Sequence, residues 1–306
     1  MHNWFECKVS YENLEENGMQ KKVIVLAVAG ALAAPAAAMA QSNVQMYGNI
    51  YMEYSFVRQG TATNGTDATN PDVLQTPGSA IGFKGEEKLG GGMSTWFQCE
   101  STADYRGTNG EGFCTRNSAI GLKGSFGNVF VGVWDTPHKR TQLNTGARDT
   151  GIFGSAFLLS GNSTTTTDGA STGVFKRRQR NLISYDSPNF GGFQVMGAFT
   201  STNSSTATPA ANVGAKPRIW SLGASYKAGN LDVGAGYEQH DKMYNANGAG
   251  VFAGDGQGWH LGASYKFGSV KFGGTYTHQE GDPAAGANAE VKAWQLGAEW
   301  KISGPH

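Results

Sequence analysis

From Val44 onward, apolar and polar positions alternate. Val44, Met46, Gly48, Ile50, Met52, Tyr54 and Phe56 share one parity, and Gln45, Tyr47, Asn49, Tyr51, Glu53 and Ser55 share the other. A period of two over this length predicts a strand with one apolar face. The pattern returns from Ile81 to the Leu89-Gly90-Gly91-Gly92 turn, over 93–100, 114–122, 129–135, 181–187 and 193–200. It returns again over 220–227, 231–238, 259–267, 271–277 and 294–302, which makes twelve predicted strands.

The alternation stops for long in one place, Asp135 to Arg180. This stretch holds an apolar patch (Ile152, Phe153, Phe157, Leu158, Leu159) and a basic exit (Lys176, Arg177, Arg178, Arg180). A structureless connection of this length inside a compact domain is either functional or disordered.

Composition narrows the class. Forty-five glycines and 11% aromatic residues in 306 suit an all-β chain with many tight turns. Twenty-four basic and 24 acidic residues leave no excess of positive charge for nucleic acid. Residues 19–40 have a Lys21/Lys22 head, an apolar core from Val23 to Ala34 and an Ala38-Met39-Ala40 end, the form of a secretory signal. A membrane anchor would need about 20 apolar residues. Residues 1–18 carry no export logic, so translation is expected to start at Met19. Without residues 1–40 the chain keeps 21 basic and 20 acidic residues and two cysteines, Cys99 and Cys114.

After export, an even cysteine pair reads as a disulfide, with two unlinked buried thiols as the alternative. Opposed residues of a hairpin have a constant index sum. If Cys99 faces Cys114, Phe97 faces Arg116 and Thr95 faces Ser118, and both cysteines fall on the apolar parity. Two cysteines with no nearby histidine predict no metal site.

Two features turn the strands into a membrane wall. One face of each is apolar with Trp, Tyr or Phe at its ends, while the other carries Gly, Ser, Thr and charge. Connections alternate between two or three residues and ten or more. Together these predict an all-β fold, a transmembrane antiparallel β-barrel. Closure would also satisfy the backbone groups that lipid cannot. A soluble sandwich would alternate as well, but needs neither aromatic belts nor long loops on one side only. The stretch 135–180 is then expected to fold inward and narrow a pore.

Several segments resemble the Gram-negative general-diffusion porins of the beta-proteobacterial type. They are VQMYGNIYMEYSFV (44–57), IGFKGEEKLGGGMSTWFQCE (81–100), TRNSAIGLKGSFGNVFVGVWDTP (115–137), RRQRNLISYDSPNFGGFQVMGAF (177–199) and the LGASY repeats at 222–226 and 261–265. The resemblance implies a sixteen-stranded barrel, a homotrimer in the outer membrane of a Gram-negative bacterium, and passive diffusion of ions and small hydrophilic solutes. It also implies a third loop, about 136–176 here, folded into the lumen opposite arginines of the wall. By motif position those arginines are Arg116 and Arg178. Ala80 and Val133 stand where the family often has arginine, which weakens the expected anion preference. The chain ends at Ile302-Ser303-Gly304-Pro305-His306 where family members end on an aromatic residue. Twelve strands against sixteen therefore suggest a porin truncated at its C-terminus, with a true twelve-stranded barrel as the alternative.

Lys84 and Lys123 lie on the polar parity and are candidate pore-lining groups, or charges that only solvate the wall. Arg116 shares parity with Ile120 and Leu122, so simple alternation aims it outward unless it lies above the apolar belt or beside a bulge. Lys139, Arg140, Arg148 and Asp149, with Arg178 and Arg180 at the exit, are the loop candidates. His240, His260 and His278 read as lumen or rim groups. No cofactor is implied. No nucleophile elbow supports a hydrolase, so a barrel enzyme ranks below an occluded structural or adhesive barrel, and both rank below a channel.

Overall fold

The computed structural model describes residues 43–56, 72–76, 78–106, 112–143, 175, 178–200, 218–244, 254–282 and 289–302. The leader and signal expected over 1–40 lie outside them. The elements are β1 (Asn43–Asn49), β2 (Glu53–Phe56), β3 (Asp72–Gln75), β4 (Ala80–Gly90), β5 (Met93–Thr102), β6 (Ser118–Gly124), β7 (Gly127–Asp135), α1 (Pro137–Thr141), β8 (Arg178–Asp186) and β9 (Phe193–Thr200). They continue with β10 (Arg218–Ala228), β11 (Leu231–Tyr244), β12 (Gly254–Phe267), β13 (Val270–Asp282) and β14 (Ala289–Trp300).

Twelve strands form one antiparallel meander in the order β1-β4-β5-β6-β7-β8-β9-β10-β11-β12-β13-β14. Among the described residues β1 pairs with β4 and β14 with β13, so these two are the sheet's edges. β2 and β3 pair with each other and prolong the first hairpin beyond a short interruption. There Ser79 Oγ accepts from the Tyr51 amide at 2.8 Å and donates to the Tyr51 carbonyl at 2.9 Å, which ties the frayed strands together.

Exposure runs opposite to that of a water-soluble protein. On β10, the Trp220, Leu222 and Tyr226 side chains are exposed while Ile219 and Ser221 are buried. On β12 and β13, Trp259, Leu261, Tyr265, Phe272 and Tyr276 are exposed, and His260, Ser264, Thr275, Thr277 and Gln279 are buried. An outward apolar band with aromatics at both margins and a polar inner face is what a lipid-facing barrel wall requires. The β4–β5, β6–β7, β10–β11 and β12–β13 links are two-residue turns at one end, and the long connections lie at the other.

The twelve wall strands match those expected, with three corrections. The strand expected over 44–56 leaves the wall after Asn49, and Glu53–Phe56 pairs with β3 in a separate two-stranded sheet. β11, β12 and β14 run further toward the loop end than the sequence pattern suggested. There, residues such as Gln239, Gln257 and Lys292 continue the ladder after the apolar stripe has ended. The expected strand 114–122 begins only at Ser118, and its register is Phe97↔Ile120 and Thr95↔Leu122 rather than Phe97 to Arg116 and Thr95 to Ser118. Cys114 lies before the strand with φ 59, its amide donating to Ser101 Oγ at 2.9 Å. That bend still brings it to Cys99: the two are disulfide-bonded with Cα atoms 4.7 Å apart.

Candidate functional site

The chain leaves β7 at Asp135 and turns inward at once. Thr136 accepts the Lys139 amide at 3.4 Å through its side chain and Pro137 opens the helix, so the five residues of α1 start on a capped turn. The helix lies on the inner face of β10 and β11. The His138 amide donates to Ser221 Oγ at 3.0 Å, across 83 residues of sequence. Two paired glycines let the backbones approach: a Cβ on Gly223 would meet the Pro137 carbonyl oxygen at 2.9 Å, and one on Gly236 would meet His138 Cα at 2.9 Å.

Histidines secure the contact. The His138 Nδ1 lies 2.9 Å from the Phe175 carbonyl oxygen, which can only accept, so Nδ1 carries the proton. In the neutral ring Nε2 is then bare and accepts from His260 Nδ1 at 3.1 Å. Thr141 Oγ1 stands 3.3 Å from the other His260 nitrogen. Burial holds the His138 pKa below the ordinary histidine value, against the opposing pull of the Glu238 carboxylate. Phe175 is 1% exposed, stacks on His240 at 4.5 Å between ring centres and lies over Gly258. His240 Nε2 in turn meets the fully buried Glu238 at 2.7 Å. Both ends of the long stretch are therefore fixed to one patch of inner wall.

Charged residues are paired around this patch. Arg140 makes two bonds to Asp186, at 2.8 and 2.6 Å. Asp135 accepts Lys139 at 2.7 Å and lies 3.3 Å from Arg178, whose Nε also donates to Asn117 at 2.8 Å. Arg116 turns inward rather than outward, because the strand has not yet begun. Its amide donates to the Glu100 carbonyl at 2.9 Å, and its guanidinium meets the Glu100 carboxylate at 2.7 Å. Tyr47 closes that group with a hydroxyl 3.0 Å from the same carboxylate.

Lys84 stands over the Tyr47 ring at 5.3 Å. Lys123 is bonded to Glu86 at 3.1 Å near the short-turn end. Arg180 is exposed beside Asn181, whose φ of 54 marks the irregularity in the β7–β8 ladder. Arg148 and Asp149 lie outside the described residues. His240 and His260 are on the inner face as expected. His278 shares the outward parity of Tyr276 and lies near the loop-end rim, the other place expected for these histidines, with Glu290 at 2.8 Å and Glu280 at 3.2 Å.

A family model described as Gram-negative porin matches residues 26–306. The chain belongs to the Gram-negative porin family. It is 33% identical over 213 residues to the major outer membrane protein P.IB of Neisseria gonorrhoeae, covering 68% of this chain and 54% of that one. It is also 33% identical over 200 residues to the outer membrane porin protein 32 of Delftia acidovorans, covering 64% of this chain and 54% of that one. The porin chain thus spans about half the length of these relatives. Among solved structures it is similar to an anion-selective porin from Comamonas acidovorans, with TM-score 0.62, 24% identity and coverage of 84% of this chain and 74% of that one. The trimer form of OmpT from Vibrio cholerae gives TM-score 0.62 at 18% identity, covering 86% and 74% of the two chains. These two likenesses concern the barrel fold.

In the Arg140–Asp186 pair of this porin the arginine is on the inner segment and the carboxylate on the wall. His138, Thr141, Phe175, Asp186 and Glu238 were absent from the sequence-derived set. A signal for them existed in the inner-parity glycines 223, 234, 236, 258 and 262, which line β10–β12 where a pore wall would otherwise carry polar side chains.

Proposed function

We propose that the protein is a passive channel of the Gram-negative outer membrane, through which ions and small hydrophilic solutes diffuse. The observation that carries this reading is the seating of α1 and Phe175 on the inner wall of β10–β12, since a segment folded onto that face narrows whatever passage the wall encloses. The porin relatives and the polar inner face support it. Assembly as a homotrimer is in keeping with the trimer form of the Vibrio cholerae OmpT structure, with lipid against the outward band. On this reading Lys84, Arg116, Lys123, Lys139, Arg140 and Arg178 act on permeating ions through their fields rather than through bonds. Arg148, Asp149 and Arg180 are assigned to the same zone from the sequence, and residues 19–40 to export. The protein catalyses no reaction. Reconstitution into planar bilayers tests this: discrete, ohmic conductance steps are expected, and a folded protein that stays silent would favour an occluded structural or adhesive barrel.

A further inference from the structure

The outward face of β12–β14 changes character at the loop end, where the apolar stripe gives way to Gln257, His278, Glu280, Glu290 and Lys292. Directly opposed residues of an antiparallel ladder point to the same side. His278 pairs with Trp259 on β12 and Lys292 on β14, and Glu280 pairs with Gln257 and Glu290, so all of these share one face. Two carboxylates therefore oppose each other across the β13–β14 ladder, just beyond the histidine. Like charges in that position are destabilising, and a cation between them relieves the repulsion.

The histidine is turned into that gap. His278 Nε2 lies 2.8 Å from Glu290 Oε1 and 3.2 Å from Glu280 Oε1, and one donor atom from each of the three residues falls within 4.8 Å of the others. Two metal bonds of about 2.1 Å, meeting at roughly 90–109°, would hold their donor atoms about 3.0–3.4 Å apart. Both nitrogen–oxygen separations are near that spacing. The single proton on Nε2 bonds well to one of these oxygens, whereas a metal ion can meet both.

Neighbouring side chains hold the donors in place. The Trp259 ring meets the imidazole edge-on, 5.9 Å between centres. Gln257 donates to Glu280 Oε2 at 2.8 Å and accepts from the Tyr237 hydroxyl at 3.3 Å, which leaves Glu280 Oε1 toward the histidine. Outer bonds of this kind orient the ligands of protein metal sites. Lys292 works the other way: its ammonium supplies one positive charge to the pair, but it bonds Glu290 Oε1 at 2.5 Å, the same oxygen that the histidine faces.

We infer that His278, Glu280 and Glu290 form a binding site at the loop-end rim for a divalent transition-metal ion of the Zn²⁺ type, with water completing its shell. One imidazole nitrogen with two carboxylate oxygens suits such an ion, while Ca²⁺ and Mg²⁺ take oxygen ligands. The metal takes the place of the Nε2 proton, which passes to Nδ1 or, from the doubly protonated ring, to solvent. The site is on the outward face and does not depend on conduction through the barrel.

Calorimetric titration of the folded full chain in detergent with Zn²⁺, and separately with Ca²⁺, tests the site. The parent is expected to bind one equivalent of Zn²⁺ that His278→Gln does not bind, at least about tenfold more tightly than Ca²⁺. Glu280→Gln and Glu290→Gln should each weaken that equivalent by about tenfold or more. Lys292→Gln keeps all three donors and should tighten it, because Glu290 Oε1 loses its competing partner; this variant decides the matter even if a carboxylate variant fails to fold. Full parental Zn²⁺ binding in His278→Gln, equal affinity for Ca²⁺, or unchanged or weaker Zn²⁺ binding in Lys292→Gln would overturn the site.

Discussion

Arg140 and Asp186 are joined by a two-pronged ion pair, Nη1 to Oδ1 at 2.8 Å and Nη2 to Oδ2 at 2.6 Å, that ties the inward segment to the last residue of β8. Because β8 ends there in a short-turn connection, the arginine reaches from the loop-end entrance toward the opposite margin of the wall. Both side chains are mostly shielded, so the pair is screened less than a surface bridge. Asp186→Asn keeps the shape but leaves the guanidinium without its charge partner. We expect a loss of roughly 1–3 kcal/mol in the stability of the docked segment, read as faster hydrogen exchange over residues 136–143 with the barrel intact.

The histidine contact makes docking sensitive to acid. The docked His138 ring binds a proton less readily than a free one, because burial opposes the charge. Above about pH 6.5 both forms are neutral and docking is complete. As pH falls through that value, the released ring takes up a proton that the docked ring resists. Docking then weakens by up to about 1.4 kcal/mol per pH unit. Glu238 faces the same ring and moderates the loss. Exchange over 136–143 should quicken between about pH 7.5 and 5 after correction for intrinsic rates, and His138→Gln should flatten that dependence.

The strands were legible because lipid on one side and water on the other enforce a period of two, and no tertiary contact overrides it. Phe97, Ile120, Leu222 and Leu261 fell on the expected face for this reason alone. Parity alone aims Arg116 outward because it counts through Cys114, where the chain leaves the strand; Arg116 lies before the regular strand and turns inward, as its place in the motif implied. The seat of α1 was hidden for a different reason: His138 meets Ser221 and His260 across 83 and 122 residues. Such pairings leave no periodic trace, and only the run of inner-face glycines pointed to them.

Cys99 and Cys114 close a loop with a sequence separation of 15. In the chain-entropy view a loop of this size is worth about 3 kcal/mol. A Cys99→Ser, Cys114→Ser double variant should therefore insert and show the same heat-modifiable migration as the parent, but unfold at a lower temperature. The intact protein should show no free thiol by mass spectrometry after alkylation outside residues 1–40.

Replacing Lys84, Arg116 or Arg178 by glutamine should move the zero-current potential in a salt gradient toward cation preference. Arg116→Gln and Arg178→Gln should move it further than Lys84→Gln, because they leave Glu100 and Asp135 with less compensation. Unchanged potentials in all three variants would place these residues outside the ion path.

Single-channel conductance of Gly223→Val beside the parent most directly tests whether α1 narrows a channel. The three atoms nearest a Cβ at Gly223 all belong to α1, in the Pro137 carbonyl group and the Thr141 methyl, so a side chain there should unseat the helix while leaving the strand intact. Discrete ohmic steps from the parent and a larger unit conductance from the variant are predicted. A silent parent that is correctly folded, or a variant with the parent's conductance, would contradict the inward-folded constriction.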